Sequence, residues 1–191
     1  MPHFSIAPAS IHRLRRRLHD AVPAAAADML QDAGFASGDA LAERWRNRVA
    51  ERTGLDDARR LDLRWFGPLL DELCVGLGWG SLSTTPLGDR ALLLEAGDWA
   101  EADPGATDAP ACHFSCGCFA AFLTVQAGAP VAVLEVECRS SGAEACRFLA
   151  GSAATLASVY DLLAAGRPWH EAFTAEELPG APSSAETHPS R

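Results

Sequence analysis

The chain contains no lysine; all 16 of its basic side chains are arginines. Without a side-chain amine there is no Schiff-base nucleophile, no attachment point for pyridoxal phosphate and no phosphate-loop lysine. No apolar run approaches the roughly 20 residues of a membrane span. The opening residues 1–8 have no apolar h-region, so no secretory signal is expected and the expected location is cytoplasmic. Positive charge is scarce as well. Those arginines stand against 25 acidic residues, for a net charge of −9. The only basic cluster, Arg13, Arg15, Arg16 and Arg17, reads as a solvated helix start. A nucleic-acid partner, which rewards basic stripes, is therefore not expected. Histidine is missing between His19 and His113.

What is present suits one globular domain with a helical lead-in. The chain has 191 residues, 48% of them hydrophobic, enough to bury a full core without disulfide staples. Residues 1–12 read as a flexible lead and 14–33 as helical, with Pro23 tolerable only near a helix start or break and Gly34 as its C-cap. Leu41, Trp45 and Val49 lie at i, i+4 and i+8, the stripe of an amphipathic helix that ends near Gly54. A third helix is expected over 62–77, with Phe66, Leu69, Leu70, Leu73 and Leu77 on its apolar face and Pro68 in its first turns. The pattern then changes to two adjoining strands over 81–85 and 91–95, turned at Gly88-Asp89. A loop follows over 98–110. A buried helix over 117–127 precedes a hairpin of 131–136 and 146–150. Ser152 is placed to cap a last helix to Ala165, and 179–191 reads as a disordered tail. The resulting division is a helical extension over 1–55, a domain over 56–170 and the tail.

Five of the six cysteines, Cys112, Cys116, Cys118, Cys138 and Cys146, fall within 35 residues; Cys74 lies apart. In a chain without an evident secretory signal this clustering reads as metal or redox chemistry before a disulfide framework. Thiolates joined by a carboxylate or an imidazole, here Glu135 or His113, suit tetrahedral zinc. Glu135 and Cys138 are three apart, so in a regular strand they face opposite ways. If both bind one ion, the strand must bulge or end between them. Reduced buried cysteines acting as small hydrophobes are the competing reading. Cys116 and Cys118 flank Gly117 at the expected helix start, where the dipole lowers a thiol pKa. That placement makes them candidates for redox chemistry, for ligand competition or for plain packing.

Cys112 five residues before Gly117, then Glu135-Val-x-Cys138, Gly142 and Cys146-Arg-Phe, resembles the 4-vinyl-reductase-type domain. That domain occurs in bacteriochlorophyll biosynthesis proteins, in archaeal hydrocarbon-binding proteins and as the sensor module of phenol- and xylene-responsive activators. The resemblance is tightest over 112–150. It implies an α+β fold: a helix-flanked antiparallel sheet of the kind shared distantly with vesicle-tethering TRAPP subunits, with a tendency to form homodimers. It also implies a zinc ion held by Cys112, Glu135, Cys138 and Cys146. Four protein ligands leave no open position for water, so such a zinc is structural. Three thiolates and a carboxylate around a divalent ion leave a dianion that needs nearby donors. Arg139 and Arg147, each next to a ligand, are candidates, as are backbone N–H groups of the 140–145 turn.

Function is then expected in a pocket for a small apolar or aromatic molecule, with Trp65, Phe66, Trp79, Trp99 and Phe122 as candidate lining and core packing as the alternative. The histidine that phenol sensors of this kind place in the third helix has no counterpart here, which disfavours phenol recognition of that kind. The leading expectation is a zinc-stabilised binding domain acting as a sensor or carrier of a hydrocarbon, aromatic or tetrapyrrole. The alternative is a catalytic or accessory subunit of divinyl chlorophyllide 4-vinyl reduction. No catalytic residue is assigned, and Gly76-Leu-Gly78-Trp-Gly80 lacks the spacing of a dinucleotide loop. A purely structural adaptor is the third possibility.

Overall fold

The computed structural model describes residues 7–178; the expected tail and the first six residues of the expected lead lie outside them. The rest of that lead is not flexible. Helix α1 spans Pro8–Ala21, with proline in its first turn, where its fixed φ suits a helix start. Pro23 divides the expected 14–33 helix, and α2 resumes at Ala26–Phe35. Gly34 is therefore not a cap but an interior position of α2.

Helix α3, Gly38–Thr53, buries Leu41, Trp45 and Val49 as their spacing requires, and Gly54 closes it at φ 73°. Helix α4, Leu63–Gly76, opens on Asp62, whose carboxylate accepts from the Arg64 N–H. Strands β1 (Ser83–Leu87) and β2 (Ala91–Ala96) follow. Helix α5 spans His113–Ala127, starting a full turn earlier than the sequence suggested. Strands β3 (Ala132–Glu137) and β4 (Cys146–Gly151) form the expected hairpin. Helix α6, Ala153–Ala164, is capped by the Ser152 side chain on Thr155 N.

The fold is α+β. The four strands form one antiparallel sheet in the order β1-β2-β4-β3. Both faces are covered. On one side Leu94, Phe148, Ala150 and Val133 meet α3, α4 and α5 in the larger core. On the other, Leu87, Leu93, Leu149 and Val136 pack on α6 and on the short turn Trp169–Ala172. Helix α5 is apolar on nearly every side because it is enclosed between α2 and α3 above and the sheet below. Its approach to α2 depends on glycine. A Cβ on Gly117 would lie 1.9 Å from the Gln31 carbonyl oxygen, and one on Gly34 would lie 1.9 Å from that of Phe114. No described helix is long and apolar enough to cross a membrane.

Candidate functional site

Cys112, Glu135, Cys138 and Cys146 come from three elements: the residue before α5, strand β3 with the turn after it, and the start of β4. Their ligand atoms all lie within 4.8 Å of one another, and all four residues are buried. The register supplies the reason Glu135 and Cys138 can share a face. Glu135 pairs with Phe148 and Glu137 with Arg147, so Val136 is an extra residue and the strand bulges there. The bulge reverses the alternation once. Glu135 and Cys138 then point to the α5 side, while Glu137 points to the reverse face.

The donor set suits a metal. Cys112 Sγ lies 3.7 Å from Cys138 Sγ and 3.9 Å from Cys146 Sγ. Two sulfurs on a tetrahedral zinc with bonds near 2.3 Å are about 3.8 Å apart. One oxygen of Glu135, Oε2, accepts from the Cys112 backbone N–H at 2.8 Å, while Oε1 is buried without a partner. As bare groups these side chains share protons uneasily. Burial pushes the Glu135 carboxyl up to about 9. The thiols of Cys112 and Cys146, donating to Cys138, hold that thiol well below its usual range. All six cysteines are free.

Backbone N–H groups surround the cluster, as expected for the turn after Cys138. Ser140 N donates to Cys138 Sγ at 3.3 Å and Arg139 N to Cys146 Sγ at 3.5 Å. Arg147 does not serve the cluster. Its guanidinium pairs with Glu95 and Glu137 on the reverse face of the sheet, where Trp169 Nε1 also donates to Glu137 at 2.7 Å. A strand neighbour of Cys146 must face away from it. Arg139 contributes through its backbone N–H.

Cys116 and Cys118 are not at a helix terminus, because α5 begins at His113. Both are buried in the first two turns, where burial pushes Cys118 up to about 12 and Cys116 well above its ordinary value. The expectation of lowered thiol pKa values is overturned by desolvation. His113 is partly buried, and burial lowers its pKa.

A second polar cluster anchors α5, and the sequence did not reveal it. Glu101 is buried in the loop, and its carboxylate accepts from Phe114 N at 3.0 Å, from Ser115 N at 2.7 Å and from the Ser115 hydroxyl. Ser115 Oγ in turn accepts from Trp99 Nε1 at 2.8 Å. The acid thus occupies the positive end of the helix that begins beside Cys112. Arg15 of α1, also buried, donates to the carbonyls of Glu101 (3.0 Å) and Ala111 (3.3 Å). A carboxylate fourteen residues away caps this helix in place of a local Ser or Asp, so no local capping signal marks its start.

The five aromatic candidates separate. Trp65 is exposed. Trp79 and Trp99 stand edge to face at 5.9 Å, and Trp99 also contacts Phe119 and Phe148. Phe66 and Phe122 join Trp45, a residue the sequence placed only in the core, with ring centroids 5.1 Å and 5.8 Å from it. Beside Phe66 opens a cleft of about 670 Å³, floored by Leu61, Leu92, Leu123, Val131 and Ala150. Gly78 and Gly80 lie at φ 74° and 114° in the turn after α4 and lead into a strand, so this glycine run does not open a helix.

Residues 99–152, which contain all four clustered ligand candidates and α5, match the model of the 4-vinyl-reductase-type domain. This bears out the resemblance read from the cysteine and glutamate spacing. Among solved structures, the phenol-responsive sensory domain of the transcription activator PoxR, determined with phenol, is similar over 88% of this chain and 85% of that one. The TM-score is 0.63 at 21% sequence identity. No curated protein matches the chain.

Proposed function

We propose, from the 4-vinyl-reductase-type domain that this chain carries over residues 99–152, that the protein is a small-molecule-binding module of the sensor or carrier type, held together by one structural zinc ion. The observation that carries the reading is the buried group of three thiols and one carboxylate, drawn from three elements, with an unpaired oxygen on Glu135. Cys112, Glu135, Cys138 and Cys146 fill a tetrahedral shell, so the ion crosslinks the start of α5 to the hairpin and keeps no position for a substrate. Arg139 N and Ser140 N offset charge on the sulfurs.

With the metal structural, the ligand belongs in the apolar layer between the sheet and α3, α4 and α5. The likeness to a phenol-responsive sensory domain supports that placement. An uncharged, mostly apolar guest suits aromatic walls. Free cysteines suit a reducing compartment, in keeping with a cytoplasmic location. Leu14, Met29 and Phe35 leave apolar surface exposed on α1 and α2, which suits a homodimer.

Elemental analysis combined with native mass spectrometry of protein from its source tests the reading. About one zinc per chain and a co-purifying apolar molecule are expected. A metal-free, ligand-free protein that is fully stable would overturn it. Reduction of a divinyl pigment on addition of a reductant would instead select the reductase alternative.

A further inference from the structure

Among the described residues, only three buried side-chain nitrogens or oxygens have no hydrogen-bond partner: Glu135 Oε1, Arg15 Nη2 and Trp45 Nε1. The first belongs to the metal cluster, and the second to a guanidinium that already ties α1 to the loop. The third stands alone in an apolar setting. Trp45 is 0% exposed and sits with Phe66 and Phe122. An indole N–H is a donor only, and a buried donor normally finds an acceptor. Ring faces in edge-on contact are weak substitutes for an oxygen. An isolated donor therefore disfavours this closed arrangement unless something supplies a lone pair.

The cleft beside it says where such a group enters. Phe66 touches Trp45 and also lines the cleft, so it is the one ring shared between the closed trio and open space. The cleft floor is apolar. Its rim arginines are already engaged: Arg59 with Asp57 at 3.2 Å, and Arg90 with the Ala172 carbonyl at 2.8 Å and Glu177 at 3.6 Å. The rim thus offers no uncommitted arginine to select an anion. The walls and the single donor together define a guest that is flat or compact, uncharged and apolar, and carries one hydrogen-bond-accepting oxygen such as a ketone or ether.

We propose that Trp45 Nε1 is the specificity-determining donor of the ligand site. In this scheme a small apolar molecule enters past Phe66 and places an acceptor oxygen on the indole N–H. The inference rests on the small-molecule-binding reading above and adds to it the residue and the ligand chemistry. Trp45 lies on α3, outside the segment matched to the family's domain.

The test uses the full metal-loaded chain and two probes of one shape, acetophenone and ethylbenzene, which differ in the carbonyl oxygen. Calorimetric titration of the wild type and of Trp45→Phe should show acetophenone weakened about tenfold more than ethylbenzene, equivalent to about 1.4 kcal/mol. Equal weakening of both probes would overturn the role of Trp45 while leaving the binding reading intact. Binding of neither probe by the wild type would overturn both. If Trp45→Phe does not fold, the wild type alone decides by NMR. The Trp45 indole N–H, assigned through its contacts to Phe66 and Phe122, should move downfield with acetophenone and not with ethylbenzene. An indole signal unmoved by either probe, as expected for a donor satisfied by an internal water, would overturn the proposal.

Discussion

Replacing Glu101 by glutamine tests whether a distant acid holds the start of α5. The carboxylate accepts from two backbone donors, Phe114 N at 3.0 Å and Ser115 N at 2.7 Å, and from the Ser115 hydroxyl. Glutamine retains one acceptor oxygen and turns an NH₂ toward the other donor. One buried N–H therefore loses its partner, a cost of about 1–3 kcal/mol. Alanine removes both acceptors, and its cost should be about twice that. Urea unfolding of the metal-loaded protein measures both. The acidity of the site adds a signature that a generic packing defect lacks. Burial raises the Glu101 pKa above its ordinary 4.5, against hydrogen bonds from Ser115 and Phe114 that lower it. The folded state thus binds the proton more tightly than the unfolded chain. Stability contributed by this group is present below about pH 4.5 and falls as pH rises through the raised folded value. The wild-type-minus-Glu101→Gln difference should accordingly widen as pH is lowered across that window. A loss under about 0.5 kcal/mol, or a difference that narrows on acidification, would refute the account.

Three further outcomes are expected. Gly117→Ala should cost about 2–3 kcal/mol in chemical denaturation, because its methyl meets the Gln31 carbonyl at 1.9 Å, whereas Gly97→Ala, with nothing within 4 Å, should change stability little. Cys138→Ser and Cys146→Ser should each lower the zinc content measured by atomic absorption and lower the melting temperature, and chelation of the wild type should do the same; unchanged zinc in either variant removes that residue from the ligand set. Ser152→Ala should cost about 1 kcal/mol in thermal unfolding, through loss of its bond to Thr155 N at 3.1 Å.

Local signals in the sequence led to correct structure; non-local ones were not legible. The Leu41, Trp45, Val49 stripe, the Ser152 cap and the hairpin around Gly142 each lie within a few residues of the feature they specify. The need for a bulge between Glu135 and Cys138 followed from strand parity, and the register shows it at Val136. The early start of α5 was hidden because its cap is Glu101 and not a neighbour. Gly34 and Gly117 looked like a cap and a helix opener, yet each is small because the backbone of a facing helix occupies the space. Arg147 was misplaced through proximity in sequence, although parity alone would have excluded it once Cys146 faced inward.

The sheet being covered on both sides makes its alignment unusually hard to alter. On β2, Leu93 serves the layer beneath α6 and Leu94 the layer beneath α5; on β4, Phe148 and Leu149 divide the same way. A slip of β4 by a single residue would carry Cys146 to the wrong surface and drive Arg147 toward the sulfurs, a penalty felt in two cores together. Substitutions that shorten or lengthen the 138–145 connection by one residue should therefore be rejected by the fold far more strongly than changes of side chain within it.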